Sequence, residues 1–301
     1  MKTSSLNLIR KLSGALFLFV FLLAATYCGS HRASGPPQPY TGQTPENPLG
    51  RMVVHFLDVG QGDSIFVQLP NGQHMLVDAG SKDRGKNVVN YLKQAGVKKI
   101  DYLVATHQHE DHIGGMAAVL RMFEIERVYM PKVTHNTKVY EDLLKSIQAE
   151  GLKINKAAAG VEIINSGELR VKIIAPNKAS YGDINNYSAV IKLSFGGVSF
   201  LLTGDAEKQS EQEMLASSFN LGADVLKVGH HGSDTSTTPA FLSAVKPTYA
   251  VISNGADNAY GCPHAATLQK LSGIQVFRTD LDGNVVFTTD GEGLTVSTNG
   301  K

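Results

Sequence analysis

The run IDYLVA, residues 100–105, leads directly into THQHEDHIGG, so three histidines, a glutamate and an aspartate fall within positions 107–112. In an extended chain, residues two apart point the same way, so His107 and His109 can reach one ion. Asp111 and His112 follow where the chain turns into the next helix, and can face a second ion. Imidazole with carboxylate suits zinc, with manganese or iron as further options. The competing reading is a solvated polar turn, which a lone histidine would favour. Four ligand-type residues in one spaced set, at the end of a buried strand, argue for metal.

Two further apolar runs end in the same way. FLLTGD delivers Asp205, and DVLKVGHHGS delivers His230 and His231. Each has a local alternative: Asp205 could cap the helix opened by GDAEK, and the histidine pair could be a packed turn. All three clusters, however, occupy equivalent strand-to-loop positions.

The pattern around these clusters predicts their setting. MVVHFLDV, SIFVQL and HMLVDA read as strands, the last two joined by Asn71–Gly72, a strong hairpin signal. KNVVNYLKQAG has helical apolar spacing and a glycine stop, DYLVAT reads as a buried strand, and GGMAAVLRMF and TKVYEDLLKSIQAEG read as helices. The style then repeats: strands LRVKIIAP, YSAVIKLSF and VSFLLTGD, helix EKQSEQEMLAS, strand DVLKVG, helix TPAFLSAV, strand TYAVIS. Hairpins followed by strand–helix alternation, twice over, predict two mixed sheets packed together with helices outside, an α+β fold.

Residues 1–28 stand apart from that globule. Lys2, Arg10 and Lys11 form a positive n-region, and GALFLFVFLLAATYC fits a signal-peptide core. It is short for a membrane span, which needs about 20 apolar residues; an uncleaved signal anchor is the alternative. Cys28 precedes Gly29–Ser30 as a lipid-modified cysteine would, but Tyr27 sits where a small residue is usual, so lipoprotein and secreted protein both stand. Residues 29–50 hold five of the eleven prolines and read as a flexible tether, leaving 51–301 as the folded domain. Without the three basic residues of the leader the chain has 25 basic and 27 acidic groups, net −2. Overall charge therefore does not recruit a polyanion, which would have to be gripped by a local patch. Cys28 and Cys262 are the two cysteines, and with Cys28 in or beside the leader no disulfide framework is expected.

THQHEDHIGG resembles the His-x-His-x-Asp-His motif of the metallo-β-lactamase superfamily. FLDVGQGDSIFVQLPNGQHMLVDAG, LLTGDAE, LKVGHHGSDTST and SNGADNAYGCPH resemble, more narrowly, a ComEC-like competence hydrolase domain, from about residue 52 to the C-terminus. The chain looks like a stand-alone, exported form of that domain, without the membrane channel. The resemblance implies a four-layer αββα sandwich with one or two ions, Zn2+ or Mn2+, between the sheets. It assigns His107 and His109 to the first metal, Asp111, His112 and His230 to the second, Asp205 to the bridge, and Asp78 to orienting a histidine. The superfamily's third histidine on the first metal has no counterpart: the matching segment reads GDINNYSAV, with Asn185 and Asn186. Cys262 replaces a histidine common in related sequences, while Pro263–His264 is intact. His135 reads as a surface residue.

The expected chemistry is attack of an activated water on phosphorus, oriented by Asp111. His264 and His231 would contact non-bridging oxygens or protonate the leaving group, and His231, Asn186 and Ser233 are the expected substrate contacts. SKDRGK offers Lys82, Arg84 and Lys86 as a grip for a phosphate backbone, or simply a solvated loop. The leading function is an exported phosphodiesterase acting on DNA or another phosphodiester polymer. A phosphorylcholine-type esterase on cell-wall polymers, and a non-catalytic tethered binding protein, are the alternatives. A lipidated Cys28 would supply a membrane tether, and no obligate protein partner is indicated.

Overall fold

The computed structural model describes residues 38–39 and 50–300. The leader assigned to residues 1–28, the lipid on Cys28, and the 29–50 tether except Gln38, Pro39 and Gly50 lie outside the described residues.

The chain first lays down β1 (Gln38–Pro39), β2 (Met52–Phe56), β3 (Ile65–Gln68), β4 (His74–Val77), β5 (Lys99–Val104), β6 (Glu124–Met130) and β7 (Ile154–Lys156). It continues with β8 (Glu162–Ser166), β9 (Leu169–Ala175), β10 (Val190–Phe195), β11 (Val198–Leu202), β12 (Val225–Lys227), β13 (Tyr249–Ile252) and β14 (Gln275–Arg278). Finally β15 (Val285–Thr289) and β16 (Leu294–Thr298) return to the first set. Among the described residues these make a nine-stranded sheet, β1-β16-β15-β2-β3-β4-β5-β6-β7, and a seven-stranded sheet, β14-β13-β12-β11-β10-β9-β8. Gln38 pairs parallel with Ser297, so the segment read as a tether touches the first sheet's edge.

Period-two alternation decides which side chains go where. Ile65 and Val67 of β3, with Phe200 and Leu202 of β11, face the core between the sheets beside Val54, Phe56, Ile191 and Phe287. Their neighbours point outward. Phe66 and Leu76 meet α1 (Gly85–Gln94) and α4 (Lys138–Ala149) through Val88, Leu92, Leu143 and Ile147. Leu201 and Leu226 meet α5 (Lys208–Leu215) and α6 (Pro239–Val245) through Met214 and Phe241. This is the expected αββα sandwich.

The central strands position the site. β4, β5 and β6 run parallel, as do β11, β12 and β13. Their carboxyl ends therefore share an edge, where ligand sites of such sheets form. One expectation changes there. The helix expected at GGMAAVLRMF forms as α3 (Met116–Leu120), but a short helix that was not expected, α2 (Glu110–Ile113), precedes it, with Gly114–Gly115 between them. A side chain at Gly115 would put its Cβ 2.1 Å from the Ala79 carbonyl oxygen, so this close approach admits only glycine.

Candidate metal centre

Asp205 is the hub, 2% exposed in the loop after β11. Its Oδ2 lies 3.2 Å from His112 Nε2, 3.4 Å from His231 Nε2, 3.7 Å from His107 Nε2 and 3.8 Å from His230 Nε2. His107 Nε2 and His109 Nδ1 face each other at 3.0 Å, as do His112 Nε2 and His231 Nε2 at 3.3 Å. Asp111 Oδ2 approaches His231 Nε2 at 3.2 Å. Residues from three loops thus meet around one carboxylate.

Behind these groups stands a second tier. Asp78 adopts a positive φ of 57° at the end of β4, which turns its carboxylate into the site. It accepts from the Thr106 amide at 2.8 Å and hydroxyl at 2.6 Å, and from His112 Nδ1 at 2.8 Å. That bond leaves His112 Nε2 facing Asp205, the usual way a carboxylate fixes a ligand imidazole. Asp63 and Lys227 were not singled out from the sequence. Lys227 is wholly buried and pairs with Asp63 at 2.7 Å, while Asp63 reaches His231 Nδ1 at 3.5 Å. The signal was present: a lysine inside the apolar strand DVLKVG must find a counter-charge, since an unpaired buried charge is prohibitively costly.

The two adjacent histidines exchange their expected places. His231, expected to contact substrate, is buried among Asp111, His112 and Asp205, with its Nδ1 held by the Ser253 carbonyl at 2.9 Å. His230, expected as the ligand, lies nearer the surface, its Nδ1 held by Glu207 and Thr235 at 3.2 Å each. The reason is backbone conformation. Both residues have positive φ, 49° and 54°, an uncommon state for side-chain-bearing residues that concentrates at functional sites.

Three other expectations change. Asn186 Oδ1 accepts from the Ser210 amide at 3.1 Å, so it ties down the start of α5 rather than meeting substrate. Its neighbour Asn185 is buried with Oδ1 unpartnered, and so is the candidate for the position of the missing histidine. Both nitrogens of His264 are engaged at the cavity wall: Nδ1 lies 3.1 Å from both the amide and Oδ1 of Asp234, and Nε2 lies 3.1 Å from the Tyr260 carbonyl. These contacts tie the His264 loop to Asp234 and Tyr260. Ser233 and Cys262 line the open cavity, about 690 Å³, whose wall also includes Arg84, His109, Asp111, Asp205 and His231. Lys82 and Arg84 pair with Asp142 and Asp83 at 3.8 and 3.6 Å, which weakens SKDRGK as an anion grip. His135 is part-buried, its ring 5.8 Å from His109 and its Nδ1 3.2 Å from the Gln108 carbonyl.

Electrostatics separates the histidines into two kinds. Burial, reinforced by the His112 charge, holds His107 well below the ordinary imidazole value, and burial lowers His109 too. For His112 and His231, burial works the same way but is overcome by surrounding carboxylates, Asp205 first. His112 is raised well above its ordinary value and His231 to about 9. Burial pushes Asp205 and Asp111 up, yet the facing imidazoles leave both well below the carboxylate range. Asp78, the most enclosed, is raised by burial.

These residues fit divalent metal. Asp205 Oδ1 is buried without a hydrogen-bond partner, and such orphaned acceptors need an explanation. Imidazole nitrogens facing one another need a proton or a cation between them. His107, His112 and Asp205, and separately Asp111, His112 and His231, bring ligand atoms within 4.8 Å of one another. Asp205 with His107 and His109 would hold one ion, and Asp205 with Asp111, His112 and His231 the other.

Layered fold and histidine–carboxylate hub define a class. Residues 57–255 match the family model described as Metallo-beta-lactamase superfamily, and the chain belongs to that superfamily. Among its sequence relatives are ComEC-like competence proteins. ComE operon protein 3 of Bacillus subtilis is 34% identical over 253 residues, 78% of this chain and 32% of that protein. Competence protein ComA of Neisseria gonorrhoeae is 33% identical over 244 residues, 80% of this chain and 33% of that protein. The chain spans about a third of the length of these relatives. Among solved structures, CmlA, a diiron beta-hydroxylase from Streptomyces venezuelae, has TM-score 0.53 at 15% identity, covering 81% of this chain and 54% of that one. The metallo-beta-lactamase fold protein YhfI of Bacillus subtilis has TM-score 0.53 at 11% identity, covering 79% and 99%. The superfamily's members are in general metal-dependent hydrolases with one or two ions, although the hydroxylase shows that the fold alone does not set the reaction.

Proposed function

We propose that this chain is an exported metal-dependent phosphodiesterase that cleaves DNA. The observation that carries this reading is the donor set around Asp205, lying on the floor of an open cavity in a chain similar to competence proteins. A shorter match supports phosphodiester chemistry: 85 residues are 35% identical to Ribonuclease J of Synechocystis, covering 25% of this chain. The charged n-region and apolar run before Cys28 support export, as a lipoprotein or a secreted protein.

Bound metal would supply a Lewis acid and lower the pKa of water to about 7. The chain's own residues do the rest. Asp78 keeps the Nδ1 edge of His112 occupied, Ser253 does the same for His231, and Lys227 with Asp63 offsets the charge beneath them. Asp111, partly exposed at the cavity wall, is placed to orient a nucleophilic water. Glu207 and Thr235 hold His230 by Nδ1, leaving Nε2 to contact a non-bridging oxygen. His230 thereby takes the substrate contact expected of His231, beside His264 on the same cavity wall.

The test is hydrolysis of single- and double-stranded DNA, a bis-aryl phosphodiester and a phosphorylcholine ester by zinc- or manganese-loaded protein, beside Asp205→Asn. Diester cleavage that is lost with Asp205→Asn together with bound metal is expected. Turnover of the choline ester alone, or no cleavage by fully loaded protein, would overturn the proposal.

A further inference from the structure

A second cavity, about 590 Å³, lies at the carboxyl ends of β6 and β7. Its floor is apolar, from Met130, Val133, Tyr140 and Ile154, and its walls carry Lys132 and Lys156 with no acidic residue. Ile154 is 41% exposed, an unusual state for an isoleucine beside a cavity of this size. Among the described residues neither lysine pairs with a carboxylate, whereas Lys82, Lys99, Lys138, Lys145, Lys172 and Lys178 all do.

Topology joins this cavity to the metal centre. The amide of Ala105, two residues before His107, donates to Tyr129 on β6 at 2.9 Å. Tyr129 and Met130 register against Asn155 and Lys156 on β7. The carboxyl ends of β5, β6 and β7 thus form consecutive steps along one edge. At about 4.8 Å per strand, the two steps span on the order of 10 Å. That is roughly three nucleotides at the axial rise of about 3.4 Å of a strand stacked as in a duplex, and fewer in an extended single strand. The ground between is fixed: Gln108 donates to the Pro131 carbonyl at 3.3 Å, and His135 packs 5.8 Å from His109.

We infer that this cavity is a nucleotide subsite, which holds the nucleic-acid strand one to three nucleotides from the phosphate at the metal centre. The floor takes a base face, and Lys132 and Lys156 take neighbouring phosphates. Apolar contact to a base face is sequence-tolerant, because every base has one. The subsite rests on the phosphodiesterase reading for its place beside a scissile phosphate, but its affinity for the strand is measurable without cleavage.

The experiment compares wild type with Lys132→Glu/Lys156→Glu, two exposed positions outside the metal centre, in metal-loaded protein. Affinity for a fluorescent phosphorothioate-linked single-stranded 12-mer is read by anisotropy across salt concentrations. Cleavage of the unmodified 12-mer and of a bis-aryl phosphodiester is followed in parallel. The charge reversal should weaken binding about tenfold or more, and should lower the magnitude of the log–log salt slope by about 1.4 for two lost phosphate contacts. Bis-aryl diester turnover should stay within about twofold, since a substrate that small does not reach the second cavity. Wild-type binding and cleavage with unchanged affinity and slope in the double variant would overturn the subsite alone. Binding that responds to the variant without cleavage of either substrate would overturn the phosphodiesterase reading and keep the subsite. A wild type that does not bind the strand would overturn both.

Discussion

Without metal, the site should be held together by protons, and stripping the metal exposes that dependence. His231 is buried between Asp111 and Asp205, which raise its pKa to about 9 against an ordinary 6.5. A group raised on folding stabilises the native state fully below the unfolded value, and loses that contribution as pH climbs through the folded value. The gap of about 2.5 units corresponds to on the order of 3 kcal/mol, or roughly 6–12 °C in Tm for a domain of this size. Chelated, dialysed protein should therefore lose at least this much stability between pH 6.5 and 9.5 in thermal melts. His231→Gln keeps a polar side chain but cannot take the proton, so its curve should be shallower, with His112 supplying the remaining slope. Metal needs neutral imidazole, so the Tm gain on adding zinc or manganese should grow across the same window. A flat metal-free wild-type curve from pH 6.5 to 9.5 would refute the reasoning, as would a slope equally steep in His231→Gln.

Breaking the buried Lys227–Asp63 pair from one side should cost about 3–5 kcal/mol in denaturant unfolding, and Lys227→Met/Asp63→Asn should cost clearly less than the sum of the single changes; strict additivity would show that the pair is not coupled. Asn185→His should tighten metal roughly tenfold or more in calorimetric titration, because imidazole replaces a neutral carbonyl oxygen. Asn186→His should instead lose the Ser210 bond, about 1 kcal/mol of stability, without tightening metal; the opposite pattern would restore Asn186 as the site residue. Gly62→Ala would place a Cβ 2.1 Å from the Asp111 carbonyl oxygen, at a φ of 123°. It should cost about 1–3 kcal/mol and lower metal content by elemental analysis; a stable, fully metal-loaded variant would count against the close packing of this loop on α2.

Much of this molecule was legible in one dimension. Alternation of apolar residues and the turn residues between them are local properties, so the strands from Met52 to Val77, the helices α1 and α4 and the two-sheet architecture followed from pattern alone. His107, His109, Asp111 and His112 were legible for the same reason: they stand within six residues of one strand end, and their spacing carries their geometry. Elsewhere the sequence offered candidates and tertiary structure chose among them. His230 and His231 are equivalent as letters; two consecutive left-handed residues decide which one enters the core. Asn185 and Asn186 are likewise adjacent, and the approach of Ser210 engages one and leaves the other with a bare carbonyl oxygen. The sequence leaves His264 without partners, and the fold puts Asp234 and Tyr260 on its two nitrogens. Asp63 and Lys227 lie 164 positions apart, and only the packing of the two sheets brings them within 2.7 Å. Which side chains a strand can offer is set by neighbours along the chain; which of them meet, and what charge they then bear, depends on groups that arrive from the other sheet.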